Sequence, residues 1–358
     1  MFSSVYSGTR ILITGHTGFK GSWLSLWLQE LGAEVAGVAL PPATSPSHWE
    51  ILNLQGIADY RLDIRNAADL FRAVTEVQPE IVFHLAAQPL VRPSYREPLE
   101  TWSTNVMGTA NLLDACRHSK SVKAIIIVTT DKVYENREWH WGYRETDLLG
   151  GHDPYSASKA ASELVVASYR KAFFHFSGLP LLATVRAGNV IGGGDWSEDR
   201  LIADAVRAIS SNHSLSVRSP YATRPWQHVL DCLSGYLLLG EFLLNGQGDC
   251  ADAWNFGPDP DCNLSVAGIL NSLKKYWPDF AWHSDQAMHP HESKLLYLDC
   301  AKAKQILGWR PVWTLEEAVS HTAGWYRAYL INGNVESRVQ LSEYIASAKQ
   351  AERQWSMA

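Results

Sequence analysis

The chain has 358 residues, of which 46% are hydrophobic, so it can form one large domain or a main domain with a smaller lobe. Its formal net charge of -6 gives no electrostatic reason to expect nucleic acid or an anionic membrane as a partner. The first eight residues have neither the basic nor the apolar region of a signal peptide, and no apolar run is long enough to cross a bilayer. We therefore expect a soluble, cytoplasmic protein without nucleic-acid or membrane partners.

The five cysteines are widely spaced and include no Cys-x-x-Cys motif, which argues against a disulfide framework and against a zinc site. We expect them to be reduced thiols. The histidines His152, His228, His289 and His291 do not have the spacing of metal ligands, so no bound metal is expected.

The first half of the chain alternates short apolar runs with longer segments of helical period. This alternation is typical of βαβ units and predicts an α/β protein with a doubly wound parallel sheet of the Rossmann type. The run Ala124–Val128 is apolar throughout, as expected for a strand that helices cover on both faces. The predicted strands are Ile11–Thr14, Glu34–Ala39, Tyr60–Leu62, Ile81–Leu85, Ala124–Thr129 and Leu181–Val185, and predicted helices include Gly18–Leu31 and Leu99–Cys116.

After Gly188 the pattern changes to loops, short strands and scattered helices, with turn signals such as Gly192-Gly193-Gly194. We therefore divide the chain into a first domain over residues 1–188 and a smaller C-terminal lobe over residues 189–358. Segments of the lobe are expected to interleave with the first domain. The tail Val335–Gln354 is polar with few apolar positions, and it predicts an exposed helix that packs weakly or against a partner.

A glycine-rich loop lies between the first predicted strand and the first predicted helix. Glycines at this place let backbone NH groups at the start of a helix approach a pyrophosphate without a Cβ in the way. Three glycines alone can form an ordinary turn, but the strand before them and the helix after them favour a dinucleotide site. We therefore predict that residues 1–188 bind a dinucleotide cofactor and that residues 189–358 mainly bind substrate. The loop residues are Gly15, His16, Thr17, Gly18, Phe19, Lys20 and Gly21.

The acidic residue that usually follows the second strand and binds the adenosine ribose is missing. Ala39-Leu40-Pro41-Pro42 occupies that place, and Glu34 lies at the start of the strand instead. The choice between NAD and NADP is therefore open on the residues alone. Asp63, just after the third predicted strand, could accept the adenine amino group, although an aspartate there is also a common turn residue.

Tyr155 and Lys159 are spaced by one helical turn, so both side chains lie on one face of a helix. A nearby ammonium can lower the pKa of a phenol from its usual value of about 10, which would make Tyr155 a usable base. The loop before Tyr155 supplies a helix start, and Thr129 and Thr130 place hydroxyls at the end of the preceding strand. Together these residues predict a site that oxidises a sugar alcohol.

Asp131 and Lys132 follow the fifth predicted strand, at the end of the sheet where open α/β proteins bind ligands. A turn-capping aspartate and a solvated lysine are the ordinary alternative. Lys132 can act as a base only if it is neutral, which requires burial or nearby positive charge. An acid and an amine beside Tyr155 indicate that a proton and a water also move. Arg186 and Arg224 are candidates to clamp a diphosphate, and ordinary ion pairing is the alternative for each.

The chain resembles the extended short-chain dehydrogenase/reductase family over nearly its whole length, to about Trp325. Within that family, Asp131 is similar to the nucleotide-sugar 4,6-dehydratases rather than to the 4-epimerases. The next residue is a glutamate in the dTDP-glucose and GDP-mannose enzymes, and Lys132 is similar instead to the branch that acts on CDP-glucose. The resemblance is carried by Gly15–Gly21, Phe83–Ala87, His84–Arg92, Thr104–Thr109, Thr129–Asn136, Tyr155–Lys159 and Arg186–Ile191.

The resemblance implies that bound NAD is reused in each cycle and that the substrate is CDP-glucose. Tyr155, supported by Lys159, would remove the C4 hydroxyl proton, and Thr130 would position that oxygen. Lys132 would then take the C5 proton while Asp131 protonates the departing C6 hydroxyl, and hydride would return to C6. The product would be CDP-4-keto-6-deoxyglucose, an intermediate of deoxysugar biosynthesis for lipopolysaccharide O-antigen.

The same matching implies which other residues contact ligands. It also implies a homodimer or homotetramer that pairs through two long helices, Leu99–Cys116 and Tyr155–Phe176. Besides the glycine loop, cofactor contacts are implied for Asp63, Ile64, Leu85, Ala86, Ala87, Thr129, Tyr155 and Lys159, and substrate contacts for Thr130, Asn189, Arg224 and His291.

Two other interpretations stay open. One is a UDP-N-acetylhexosamine 4,6-dehydratase, since one branch of those enzymes also carries Asp-Lys, although the intact Tyr155 argues against its C5-inverting form. The other is a nonenzymatic NAD-binding sensor, which would not need Asp131, Lys132 and Tyr155 together. Turnover of CDP-glucose would separate the three.

Overall fold

The computed structural model describes residues 1–176, 178–259, 262–285 and 295–357. The strands are β1 Arg10–Thr14, β2 Glu34–Ala39, β3 Ala58–Arg61, β4 Ile81–His84, β5 Ala124–Val128, β6 Leu181–Ala187, β7 Asn189–Ile191, β8 Leu215–Val217, β9 Thr223–His228, β10 Ala253–Phe256, β11 Asn263–Ser265 and β12 Trp282–Ser284. The helices are α1 Phe19–Glu30, α2 His48–Leu52, α3 Ala67–Val77, α4 Val91–Arg96, α5 Pro98–Trp102, α6 Gly108–Arg117, α7 Pro154–Ala172, α8 Leu201–Ser210, α9 Val229–Leu244, α10 Val266–Leu273, α11 Leu315–Asn332, α12 Ser337–Gln350 and α13 Gln354–Met357.

Seven parallel strands form the main sheet in the order β10-β6-β5-β4-β1-β2-β3. Successive side chains of a strand point to opposite faces. Ile11 and Ile13 accordingly pack in one core cluster with α1 and α9, whereas Leu12 packs in another with α3 and α6. The predicted α/β class and doubly wound sheet are therefore confirmed. The strand order reverses between β1 and β4, which leaves a crevice at the carboxyl ends of these two strands.

All six predicted strands are present, and the third begins two residues earlier than predicted, at Ala58. The predicted helix Leu99–Cys116 corresponds to α5 and α6, which a π-helical turn at Ser103–Met107 joins. None of the helices within the described ranges is both long and apolar enough to cross a membrane.

The seventh strand of the main sheet comes from the second half of the chain. β10 pairs with β6, with Ala253 opposite Thr184 and Phe256 opposite Ala187, and α9 covers one face of the sheet. The division at residue 188 stays a prediction, and any such division must assign α9 and β10 to the first domain. Two small sheets, β11-β9-β7 and β12-β8, also lie in the second half of the chain.

The C-terminal tail forms the predicted helix, α12, but the expectation that it packs weakly was wrong. Leu341 and Tyr344 are buried in the main core, and the Tyr344 hydroxyl donates to Asp231 Oδ1 on α9 at 2.8 Å. The few apolar positions of α12 suffice because they share one face and include large side chains.

Candidate functional site

A cavity of about 710 Å³ opens beside the carboxyl end of β5, between the main sheet and the small sheets. One wall is formed by the segment after β5 and by the start of α7. The opposite wall is formed by β7, β8, β9 and the loops around them. The candidate catalytic and substrate residues that line the cavity are Thr130, Asp131, Lys132, Tyr155, Asn189 and Arg224.

The glycine loop lies at the carboxyl end of β1, against the segment that follows β4. Gly15 has a φ of +78°, and a Cβ added there would lie 2.6 Å from the backbone nitrogen of Ala86. A Cβ at Gly21 would lie 2.1 Å from the carbonyl oxygen of Gly15. The loop and Leu85–Ala87 therefore form one close-packed backbone surface at the strand-order reversal, as a pyrophosphate site requires.

Two side chains of the glycine loop turn into the protein. The His16 ring is fully buried against Gly37, and its Nε2 lies 3.1 Å from Asp59 Oδ1. The Lys20 ammonium lies 3.4 Å from the Tyr236 hydroxyl on α9. The contact surface of this loop is thus mainly backbone. The sequence analysis did not predict the contact between His16 and Asp59, because Asp59 lies within β3 and not directly after β2.

The predicted adenine edge contains Asp63 and Ile64. Asp63 accepts hydrogen bonds from Arg65, which hold the pKa of Asp63 below its ordinary value and keep the carboxylate charged. Ile64 is buried, and its carbonyl accepts a hydrogen bond from Asn111 on α6 at 3.0 Å. The turn role of Asp63 and a cofactor role are therefore compatible, and the cofactor role stays a prediction.

Tyr155 and Lys159 lie on one face of α7, which begins after the N-cap residue Asp153. The Lys159 ammonium donates to the carbonyl of Val128 at 3.0 Å, and burial lowers the pKa of Lys159 to about 8. Burial raises the pKa of Tyr155, and a hydrogen bond with the Thr130 side chain opposes this shift. The pKa of Tyr155 is therefore not lowered as expected from its spacing with Lys159, because burial is the largest influence on it.

The pKa of Asp131 is raised and the pKa of Lys132 is lowered, so the two values are closer than in free side chains. Asp131 is buried, its Oδ1 accepts from the Thr130 hydroxyl at 3.0 Å, and burial raises its pKa. Burial likewise lowers the pKa of the half-buried Lys132, and Arg224 adds to this shift. Asp131 Oδ2 has no hydrogen-bond partner among the described residues. Burial thus favours the protonated carboxyl of Asp131 and the neutral amine of Lys132, which are the forms that a general acid and a general base need.

The substrate wall contains both expected and unexpected residues. Asn189 on β7 and the buried Arg224 on β9 line the cavity as expected, and His291 lies outside the described residues. Arg186 was a wrong candidate for a diphosphate clamp, because it is buried behind β5 and its Nε lies 2.8 Å from Glu163 Oε1. Ion pairing, the alternative considered for it, is what the structure shows.

Among the other charged residues that line the cavity, three that the sequence analysis did not propose as ligand contacts lie together. Asp199 Oδ1 lies 3.1 Å from Arg92 Nη1 and 3.6 Å from Arg218 Nη2. Arg92 belongs to the segment His84–Arg92, which carries the family resemblance, and this membership could have indicated a place in the site. Nothing in the local sequence indicates that Asp199 and Arg218 would meet it, since the three residues come from distant parts of the chain.

Comparisons with known proteins agree with this geometry. A family model described as GDP-mannose 4,6 dehydratase matches residues 12–242. A CDP-glucose 4,6-dehydratase of Salmonella typhimurium is 46% identical over 350 residues, which cover 96% of this chain and 98% of the relative. A dTDP-glucose 4,6-dehydratase of Xanthomonas campestris pv. campestris is 28% identical over 340 residues, covering 88% of this chain and 92% of the relative.

Solved structures share the fold at lower sequence identity. A UDP-glucose 4-epimerase of Thermotoga maritima, solved with UDP-glucose, superposes with a TM-score of 0.77 at 24% identity, over 89% of this chain and 99% of that one. An epimerase of Methanothermobacter thermautotrophicus has a TM-score of 0.80 at 22% identity, over 92% of this chain and 95% of that one. The family resemblance read from the sequence motifs is confirmed, and the chain belongs to the GDP-mannose 4,6 dehydratase family.

Proposed function

We propose that this protein is an NAD-dependent nucleotide-sugar 4,6-dehydratase that converts CDP-glucose to CDP-4-keto-6-deoxyglucose. The observation that carries the proposal is the placement of an oxidising base and an elimination pair in one cavity. The Thr130 side chain contacts both Tyr155 and Asp131, and Lys132 follows directly in the chain. The 46% identical relative named as a CDP-glucose 4,6-dehydratase supports the choice of nucleotide and sugar.

The residues at the carboxyl ends of β1 and β4 fit a dinucleotide. The close approach of Gly15 to Ala86 leaves backbone NH groups at the start of α1 as the lining, with no Cβ between them and a phosphate. Asp63 and Ile64 would lie at the adenine end, and Lys159 at the nicotinamide end. When bound, NAD supplies a hydride acceptor that oxidises C4 and later returns the hydride to C6.

The first chemical step belongs to Tyr155 and Thr130. Tyr155 removes the proton of the C4 hydroxyl as that carbon loses its hydride. The Thr130 hydrogen bond favours the ionised phenol and so opposes the effect of burial on the pKa of Tyr155. Thr130 also lies next to Asp131, so the residue that positions C4 adjoins the residue that acts at C6.

Elimination belongs to Lys132 and Asp131. The C4 ketone acidifies the C5 proton, and Lys132 takes that proton because burial lowers the pKa of its ammonium. Asp131 gives a proton to the departing C6 hydroxyl, which leaves as water, because burial raises the pKa of its carboxyl. Lys132 gives a proton back to C5 when hydride adds to C6. The directions of the two pKa shifts are those that an acid and a base acting on neighbouring carbons require.

The proposal is tested by turnover of a panel of nucleotide sugars. Purified protein is incubated with CDP-, dTDP-, UDP- and GDP-glucose and with UDP-N-acetylglucosamine, and the 4-keto product is measured by its absorbance in base. We expect the highest kcat/KM with CDP-glucose. Preference for the N-acetyl sugar would favour the alternative dehydratase, and NAD binding without turnover of any sugar would favour the sensor.

Isotopes test the reaction sequence itself. CDP-glucose deuterated at C4 should give product with that deuterium at C6, and reaction in D₂O should place solvent deuterium at C5. A plain dehydrogenase would instead release NADH in stoichiometric amounts. Loss of the C4 deuterium to solvent would contradict hydride return to C6.

We also propose that the protein is a homo-oligomer and that it acts in the cytoplasm. Large apolar side chains are exposed on the helices expected to pair, with Leu99 on α5 82% exposed and Leu164 on α7 61% exposed. These exposed side chains lie on the two segments that the family resemblance implies to pair, which supports the proposal. The pathway that uses the product stays a prediction.

A further inference from the structure

A buried ion pair between Glu163 and Arg186 contacts the segment that carries the elimination residues. Glu163 follows Lys159 by one turn of α7 and is 4% exposed. Its carboxylate accepts from Arg186 Nε at 2.8 Å and from Nη2 at 3.0 Å. Burial favours the neutral form of Glu163, but Arg186 and the hydroxyl donors around the carboxylate outweigh this and hold its pKa below the ordinary value. Glu163 is therefore a charged group inside the protein.

Glu163 holds the start of the elimination segment. The Thr129 hydroxyl donates to Glu163 Oε1 at 2.5 Å, and the preceding residue, Val128, accepts from Lys159 at 3.0 Å. Two successive residues at the end of β5 are thus tied to two successive turns of one face of α7. The same face of α7 carries Tyr155.

Arg186 holds the other end of that segment. Its Nη1 donates to the Tyr134 hydroxyl at 2.7 Å, and its guanidinium lies 5.0 Å from the centre of the Tyr134 ring. The Tyr134 hydroxyl in turn donates to Asn255 Oδ1 on β10 at 2.8 Å. Thr129 and Tyr134 bracket residues 130–133, so the ion pair contacts the chain just before and just after the elimination residues.

We infer that Glu163 and Arg186 are positioning residues that fix the elimination residues, Asp131 and Lys132, relative to the oxidising base Tyr155. Neither Glu163 nor Arg186 lines the cavity, so both act through the segment they hold. The inference rests on the proposed function, because it assigns Tyr155 on α7 to the oxidation step and Asp131 and Lys132 after β5 to the elimination step. A buried ion pair often adds little net stability, and a role in setting geometry explains its presence.

Loosening the contacts of the Glu163–Arg186 pair with the chain after β5 should slow oxidation and elimination unequally. The segment that would move carries both groups of the elimination, Asp131 and Lys132, but only the positioning hydroxyl of the oxidation, on Thr130. The base Tyr155 and its neighbour Lys159 stay on α7. Elimination should therefore slow more than oxidation, and enzyme with bound NADH should accumulate during turnover. Misplacement of catalytic groups by about 1 Å can cost on the order of 100-fold in rate.

The chain offers a matched pair of variants. Thr129→Val and Thr184→Val each remove one hydroxyl that donates to the Glu163 carboxylate, at 2.5 Å and 2.7 Å respectively. Both threonines are buried and both replacements keep the shape of the side chain. Thr184 lies within β6, which carries none of the residues proposed to act on the substrate. Both variants should lower the melting temperature by similar amounts.

The experiment measures kcat and KM for CDP-glucose, together with the near-ultraviolet absorbance of bound NADH, for wild type and variants in one series. We expect Thr129→Val to lower kcat by about 10- to 100-fold with little change in KM and with NADH accumulating. Thr184→Val should keep the wild-type kcat, and Thr129→Ser, which restores the hydroxyl, should recover it.

A second variant acts at the other end of the segment. Tyr134→Phe removes the hydroxyl that meets Arg186, and it should reproduce the loss of kcat and the NADH signal if Thr129→Val fails to fold. Equal kcat for Thr129→Val and Thr184→Val, or wild-type kcat for Tyr134→Phe, would overturn the inference. Absence of product from the wild-type protein in the same series would instead contradict the proposed function.

Discussion

At the scale of single residues, the protonation of Asp131 and Lys132 should decide the pH dependence. At low pH both groups are protonated and the base, Lys132, is lost, and at high pH both are deprotonated and the acid, Asp131, is lost. We expect a bell-shaped kcat profile. Both limbs should lie between the pKa of an ordinary carboxyl and that of an ordinary lysine, because burial raises the pKa of Asp131 and lowers the pKa of Lys132.

Asp131→Asn tests this assignment in the same measurement. The amide cannot donate a proton from an acid group, so kcat should fall by about 10²- to 10⁴-fold. The alkaline limb should disappear because the acid whose deprotonation produces it is gone, whereas the acidic limb should remain because Lys132 must still be deprotonated. An alkaline limb that persists in Asp131→Asn would show that a different group titrates there.

The other residue-scale prediction concerns Tyr155. Tyr155→Phe should lower kcat by about 10²- to 10⁴-fold, because the phenol oxygen is the base for C4 oxidation. Calorimetric titration should show nearly unchanged NAD affinity, since the glycine loop and Lys159 remain. Tyr169→Phe, on the same helix but outside the cavity, is the control and should keep wild-type turnover. Near-normal turnover by Tyr155→Phe would rule out Tyr155 as the base.

At the scale of elements, the junction of β1 and α1 should control cofactor binding. Gly15→Ala places a Cβ 2.6 Å from the Ala86 nitrogen and requires an alanine at a φ of +78°. Both effects force the loop away from the segment after β4, so NAD affinity should fall by at least about 10-fold, as titration calorimetry would show. Gly248→Ala is the control, because nothing lies within 4 Å of its added Cβ. Equal NAD affinity for both variants would contradict this prediction.

At the scale of the whole molecule, the exposed apolar side chains of α5 and α7 should determine the oligomeric state. Light scattering coupled to size-exclusion chromatography should give the mass of a dimer or tetramer for wild type. Leu164→Glu introduces a charge into the proposed interface and should give a monomer. Leu148→Glu changes another exposed leucine, which lies in the loop before α7, and should keep the wild-type mass. A wild-type monomer would contradict pairing through these helices.

Much of the site could be predicted from the sequence because its signals are local. The glycine loop and the Tyr155–Lys159 spacing depend on contacts between neighbouring residues, and alternation of apolar runs was enough to predict six strands. The choice of the dehydratase branch depended on the pair Asp131–Lys132, which local spacing alone could not distinguish from a turn. The resemblance to a family supplied that step.

Tertiary structure decided what depends on residues distant in the chain. β10 joins a sheet whose other strands come from earlier in the chain, and α12 packs on α9, where Tyr344 contacts Asp231. The sequences of β10 and α12 alone do not indicate these neighbours. Arg186 has the chemistry of a phosphate clamp, but only the packing of α7 against β6 shows that it pairs with Glu163. The opposite pKa shifts of Asp131 and Lys132 have the same origin, because burial is a property of the folded surroundings and not of the residue. The sequence by itself therefore determined which chemical groups the site contains, and the fold decided their orientation, their partners and their protonation.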